Sequence, residues 1–313
     1  MTTLRATAIG FVAVLLWALL ALLTVGSAPI PPLQLNAICF GIGGILGLVW
    51  SASTGGLHRL RAVPLRVYLF GTFGLFGYHA LYFSALRLAP AAEAGLIAYL
   101  WPLLIVVFSG LLPGERLRAG SAEDGCPAPQ AYTDGKDSSG NQRLRAGHII
   151  GAVTGFLGAA LIISGGSTGF QAAYLPGYGL ALVCALFWSG YSIGSRSFGT
   201  IPTDSVAIFC LASTMLSVPL HLAFEVTQWP ADATGWISTV ALGLGPVGLA
   251  FYVWDIGVKR GDIQMLGTAS YAAPLLSTLV LVIAGVTQAS WSLAAAAVLV
   301  TGGAVIAARA SFR

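Results

Sequence analysis

Long apolar stretches recur along the whole chain, at about 7–25, 33–52, 67–86, 91–112, 149–164, 177–195, 205–224, 236–256, 263–284 and 291–308. A span of about 20 mostly apolar residues is long enough to carry a helix across the hydrocarbon of a bilayer. The chain therefore reads as an all-α integral membrane protein with ten transmembrane helices.

The second half repeats landmarks of the first at an offset of 171 to 172 residues. Trp17 falls on Trp188, Pro31 on Pro202 and Cys39 on Cys210; then Gly71 falls on Gly243, Gly95 on Gly267, Tyr99 on Tyr271 and Pro102-Leu103-Leu104 on Pro274-Leu275-Leu276. A repeat this long is a duplication. Ten spans divide into two sets of five, and each span takes the chain to the other face. The second copy must start from the opposite side, so the repeats are expected to be inverted.

One segment does not belong to this repeat. The run RLRAG occurs at 116–120 and again at 143–147, 27 residues apart, and Gly158–Ile162 aligns with Gly303–Ala307 at an offset of 145, which is 172 less 27. An inserted loop at 121–147, rich in Gly, Ser, Asp and Pro, is expected to be disordered and cytoplasmic. The first repeat then covers 1–120 (helices 1–4) and 148–165 (helix 5), and the second covers 176–309 (helices 6–10).

Composition supports the same solvent: 57% of the 313 residues are hydrophobic and 8% are charged, too few polar groups to cover a soluble particle. The Lys and Arg residues fall in the termini or the even-numbered loops, with Arg87 the exception, which places both termini in the cytoplasm by the positive-inside rule. The net charge of +4 thus reports orientation and implies no nucleic acid. The first stretch is long enough to span and carries the repeated Trp17, so it is not read as a cleaved signal. Cys39, Cys184 and Cys210 lie in spans and Cys126 in a loop, with no disulfide or metal spacing and no cofactor implied.

Ionisable groups at bilayer depth are costly and call for a cavity, a partner or a substrate. Three stand out: His79, Glu93 and Asp255. Asp255 precedes Lys259 and Arg260 at ion-pair spacing, and Glu93 opens the fourth span near Arg87. His79 lies mid-span, followed by Tyr82 and Phe83 at helical spacing, and is a candidate to line a pore. The aromatic residues gather in matching parts of the two repeats, Trp17, Tyr78, Tyr82, Tyr99 and Trp101 in one, Trp188, Tyr191, Tyr252, Trp254 and Tyr271 in the other. Set well inside their spans, they suit the wall of a central cavity for a substrate with an aromatic body and a polar head. Pro102 and Pro274 each remove a helical hydrogen bond, freeing the carbonyls of Ala98 and Ser270 and marking hinges. The Gly190–Gly194 run fits the GxSxG pattern of serine hydrolases but sits inside a span without an evident His or acid partner. No enzyme activity is expected.

Two five-span units, the central Trp17, the Tyr-Leu-Trp-Pro-Leu-Leu run at 99–104 and the Gly-Glu-Arg-Leu run at 114–117 resemble the drug/metabolite transporter superfamily, in its ten-helix EamA branch. The resemblance implies export of amino acids or related metabolites through a central cavity opened alternately to each side. Trp17, Tyr78, His79, Tyr82, Tyr99, Trp101, Trp188, Trp254 and Tyr271 are the substrate-binding candidates, with Pro102 and Pro274 as bending points. Glu115 matches the acid of that branch, whereas its counterpart in the second repeat is Thr287, beside Gln288. The first span has no acid, so the proton-for-cation exchange of the small multidrug resistance relatives is not expected. The leading expectation is a secondary transporter that exports aromatic or bulky neutral amino acids. Efflux of other amphipathic metabolites or drugs, or a channel or scaffold, are the alternatives. Expected partners are a small-molecule substrate and membrane lipid, with no nucleic acid and no obligatory protein.

Overall fold

The structure is a computed structural model that describes residues 1–89, 94, 97–109, 145–163, 172–198, 201–285 and 291–311. No strand occurs among the described residues. Helices α1 (Thr3–Ala18) and α2 (Leu20–Gly26) occupy the first apolar stretch and α3 (Pro32–Ser53) the second; a short α4 (Leu57–Arg61) leads into α5 (Leu65–Leu88). Then follow α6 (Trp101–Ser109), α7 (Ala146–Ile163), α8 (Leu175–Ser197), α9 (Ser205–Phe224), α10 (Ala233–Leu244), α11 (Ala250–Arg260), α12 (Ile263–Ala269), α13 (Ala272–Ile283) and α14 (Trp291–Ser311).

Helix is the form these residues must take in lipid, because it satisfies every backbone group within the segment. Five stretches, Pro32–Ser53, Ala172–Ser197, Ser205–Phe224, Ala233–Arg260 and Ile263–Ile283, are long and apolar enough to cross a membrane. Their outer faces stay apolar: Ile45, Val49, Met215, Leu222 and Ile237 are all more than half exposed. Such a surface is unstable in water and at home in acyl chains. The chain is an all-helical, multi-pass membrane protein.

The principal helix pairs each join the two halves of the chain: α1 packs along α11, α3 along α9, α5 along α8 and α7 along α14. Exchanging α1 with α8, α3 with α9, α5 with α11 and α7 with α14 maps this set of pairs onto itself. Two of the pairs depend on missing side chains. A methyl carbon built on Gly257 would lie 2.6 Å from the Gly10 Cα, and one built on Gly151 would lie 2.5 Å from the Gly303 carbonyl oxygen. Small residues let helix backbones approach where no hydrophobic drive separates protein from lipid.

Helix ends are closed across the same division. Pro31 cannot cap α3 with its side chain; instead Glu225, just beyond α9, accepts hydrogen bonds from the Leu33 amide (3.0 Å) and the Gln34 amide (3.1 Å). A carboxylate there satisfies free amides and the positive end of the helix dipole. His221 lies 3.0 Å from Glu225 and is itself buried. On the second half, Asp232 accepts from the Gly235 amide at 2.8 Å and Asp262 from the Met265 amide at 2.9 Å, as ordinary N-caps.

Several expectations meet the structure at their edges. The expected insertion at 121–147 lies largely outside the described residues, as do Glu93, Glu115, Thr287 and Gln288. Its last two residues, Ala146 and Gly147, already belong to α7, where Gly147 faces Ala310 and the Arg145 guanidinium donates to the Ala310 carbonyl at 2.7 Å. The proline sites form breaks and not smooth kinks. The chain turns at Tyr99–Leu100 and again at Ser270–Tyr271, and Pro102 and Pro274 lie in the first turn of the helices that restart. Ser270 does not keep the free carbonyl that its proline implies, because the Ala273 amide donates to it at 3.0 Å.

Candidate functional site

Four tryptophans, each from a different helix, meet in the core. Trp17 (α1), Trp101 (α6), Trp188 (α8) and Trp254 (α11) are all in mutual contact, with ring centroids 5.2 Å (Trp17–Trp254), 5.8 Å (Trp17–Trp188 and Trp101–Trp254), 6.0 Å (Trp17–Trp101), 6.1 Å (Trp101–Trp188) and 6.3 Å (Trp188–Trp254) apart. Most of these pairs are edge-to-face, the arrangement the ring quadrupole favours. Trp101, Trp188 and Trp254 are buried, and Trp17 is half-buried.

The indole N–H groups are aimed, not merely accommodated. Trp254 donates to the Ser192 hydroxyl at 3.1 Å, and Trp17 donates to the Pro246 carbonyl at 3.1 Å. Pro246 lies in a π-helical segment, Gly245–Leu249, that links α10 to α11. Proline has no N–H to continue an α-helix, and a π turn is where the ladder of hydrogen bonds shifts register. The Trp17 indole thus reads a backbone irregularity on the other half of the chain. Ser189 adds a tie from α8 to the start of α6, its hydroxyl 3.0 Å from the Trp101 carbonyl oxygen.

Beside the tryptophans runs a half-buried face carrying the polar groups. Tyr78, His79 and Tyr82 on α5 and Tyr99 before α6 are all half-buried. Tyr78 stacks parallel to Tyr82 at 6.0 Å and packs on Trp188 at 5.2 Å; Tyr99 lies 6.4 Å from Trp101. His79 Nδ1 is 2.7 Å from the Leu75 carbonyl oxygen, which can only accept, so Nδ1 carries the proton. In the neutral ring this leaves Nε2 as an acceptor, and in the charged ring as a donor.

Eight of the nine residues singled out from the sequence therefore converge. Tyr271 does not join them. It is fully buried, packs on Phe156 at 6.1 Å, and its hydroxyl accepts the Leu103 amide at 3.0 Å. That amide would bond the Tyr99 carbonyl in an unbroken helix; the break releases it, and Tyr271 takes it up. Two residues that sequence reasoning passed over join the cluster: Phe40 and Phe251, stacked nearly parallel at 5.5 Å, with Phe40 4.9 Å from the His79 ring. Ordinary phenylalanines in apolar spans carry no mark that distinguishes a lining role.

Asp255, the remaining described polar candidate, has structural partners. Asp255 pairs with Lys259 at 2.9 Å and accepts from Thr203 at 2.8 Å, so the i,i+4 lysine is its partner and Arg260 is left exposed. Ser192 of the GxSxG run is fully buried on α8 and accepts from Trp254. It is not placed as a nucleophile. Among the described residues no group of His, Cys, Asp or Glu is arranged to hold a metal ion.

The aromatic cluster draws on both halves, and comparison with known proteins divides the chain in the same way. The profile of the EamA-like transporter family matches residues 4–122 and 175–309. The chain belongs to the EamA-like transporter family. Over 305 residues this EamA transporter is 49% identical to the aromatic amino acid exporter YddG of Ancylobacter novellus, covering 96% of each chain. It is 26% identical over 321 residues to the aromatic amino acid exporter YddG of Salmonella typhimurium, covering 98% of this chain and 97% of that one. A solved crystal structure, 47% identical, matches 98% of this chain and 97% of its own length with a TM-score of 0.86. The all-helical fold is thus shared over essentially the full length, and the protein is a transporter, not an enzyme.

Proposed function

We propose that this transporter exports aromatic amino acids from the bacterial cytoplasm across the inner membrane, by alternating access to a site walled by Tyr78, His79, Tyr82, Tyr99 and Trp17 over a floor of Trp101, Trp188 and Trp254. The observation that carries this reading is the convergence of four tryptophans from both halves beside half-buried tyrosine and histidine groups. Relatives over nearly the full chain are aromatic amino acid exporters.

The chemistry fits such a cargo. The aromatic ring of the substrate exchanges water for aromatic faces, and burying about 150–200 Å² of it at about 25 cal/mol per Å² favours binding by about 4–5 kcal/mol before association costs. The zwitterionic head needs a few oriented polar groups, which the tyrosine hydroxyls and His79 Nε2 can supply. A single site of this kind holds its substrate weakly enough for release.

In this reading ten spans form two inverted five-helix units, with both termini cytoplasmic. The exchange-symmetric helix pairing and the two-part family match support it, and the basic residues set the orientation. The helix breaks beside Pro102 and Pro274 serve as the hinges on which the two halves rock. Proteoliposomes loaded with labelled phenylalanine should release it faster than labelled serine, against protein-free liposomes; equal release of both would end the substrate assignment. Cysteines placed at Ser53 and Ala231 should label from opposite faces of the membrane, and same-side labelling would remove the inverted arrangement.

A further inference from the structure

A cleft of about 980 Å³ opens outside the aromatic cluster, between the C-terminal half of α3, the short α4, the turn at 201–204 and the outer face of α11. None of the four clustered tryptophans lines it. Its volume is at the upper end of the roughly 300–1,000 Å³ that holds a sizeable ligand.

Two features say what belongs there. The first is that the cleft faces lipid. Leu249, which ends the π-helical segment, and Val253, Ile256 and Arg260 of α11 follow one helical stripe, on the face turned away from the buried Phe251, Trp254, Asp255 and Val258. On α3, Leu46 and Trp50 form the facing stripe, with Trp50 67% exposed next to Val49 at 62%. The back is closed where Tyr252 donates to the Gly43 carbonyl at 2.8 Å and joins the two helices. An apolar slot with these neighbours is filled in a membrane by acyl chain.

The second feature is charge. The charged and titratable lining residues sit at helix ends: His58 and Arg59 on the short α4, Asp204 just before α9 and Arg260 as the last residue of α11. The Arg59 guanidinium is half-exposed and only 3.8 Å from the nearly buried Asp204, a loose contact that leaves its other donors available. Lys259, next to Arg260, is committed to Asp255 and does not enter. Two arginines and one aspartate give these helix ends a formal charge of +1. A phosphodiester carries one negative charge, and Trp50, close to the end of α3, is of the residue type enriched at membrane interfaces. Basic pockets between membrane helices suit anionic headgroups.

We propose that this cleft binds an anionic glycerophospholipid, its phosphate between Arg59 and Arg260 and an acyl chain along Leu46, Leu249, Val253 and Ile256. Its walls come from α3 and α4 on one half and α11 on the other, so the bound lipid bridges the two halves. The site is independent of the amino-acid cargo and is tested without transport.

The experiment measures binding of phosphatidylglycerol and phosphatidylcholine to the full-length protein in detergent micelles by native mass spectrometry. Phosphatidylglycerol should bind at least about tenfold tighter. The Arg59→Gln/Arg260→Gln double variant should lose about thirtyfold in phosphatidylglycerol affinity, about 2 kcal/mol at 1.4 kcal/mol per tenfold, and lose less for phosphatidylcholine, whose choline cation offsets its phosphate. Val253→Trp, which fills the slot and keeps both arginines, should weaken both lipids, and it keeps the proposal testable if the double variant does not fold. Equal affinity for the two lipids, wild-type binding by either variant, or displacement of the lipid by glycerol phosphate at equal concentration would each overturn the proposal.

Discussion

Lys259→Met leaves a carboxylate stranded in the core, and the consequence is measurable. Asp255 and Lys259 are 1% and 5% exposed, 2.9 Å apart, with Thr203 donating to the same carboxylate oxygen at 2.8 Å and Lys259 also donating to the Ile201 carbonyl at 3.2 Å. Removing the ammonium leaves Asp255 with one hydroxyl for a partner. Breaking a buried pair from one side costs about 3–5 kcal/mol, because the remaining charge is desolvated and uncompensated. Asp255→Leu should cost a similar amount by stranding Lys259. The double variant removes both charges and loses only the hydrogen bonds to Thr203 and Ile201, about 1–3 kcal/mol. The two sites should therefore couple by at least about 3 kcal/mol, against the few tenths expected of independent positions. Reversible unfolding by SDS in mixed micelles, followed by tryptophan fluorescence, gives the three free energies. If the double variant loses the sum of the two single losses to within about 0.5 kcal/mol, the pair is not a buried electrostatic unit and the argument fails.

Other consequences are equally open to measurement. His79→Ala and Tyr99→Ala should each cut phenylalanine export several-fold with the folded fraction unchanged on size-exclusion chromatography, and wild-type flux in both would remove the site assignment. Tyr271→Phe should cost about 1–3 kcal/mol in the same unfolding assay by leaving the Leu103 amide without its acceptor; no loss would mean that the helix break satisfies itself. Gly257→Val should destabilise by about 1–3 kcal/mol or more, since a β-carbon there meets the Gly10 backbone at 2.6 Å, whereas Gly190→Ala, with nothing within 4 Å, should cost nothing. Glu225→Gln should weaken the cap on α3 by about 1 kcal/mol and loosen the contact of α3 with α9, read as faster amide exchange at Leu33 and Gln34.

The helices were legible before any coordinates, and so were most members of the aromatic cluster. A crossing segment is a local property of composition, and apolar stretches near the limit of bilayer thickness announce themselves one by one. Tryptophans and a histidine deep in such stretches are rare enough to be noticed, which is why Trp17, His79, Trp101, Trp188 and Trp254 could be named together. Phe40 and Phe251 could not, because their type is common in every span.

What tertiary structure alone decided is which face of each helix turns inward and what it meets there. Trp17 contacts Trp254 and donates to Pro246 across more than two hundred residues of chain; Tyr271 closes an amide in α6 instead of joining the tyrosines; Lys259, not Arg260, neutralises Asp255; Glu225 caps a helix of the other half. In a soluble protein the alternation of apolar and polar residues records which side of a helix is buried. In lipid both sides are apolar, so that record is missing, and rotation, crossing and partner are set by small residues and a few polar contacts that acquire meaning only when the helices are packed.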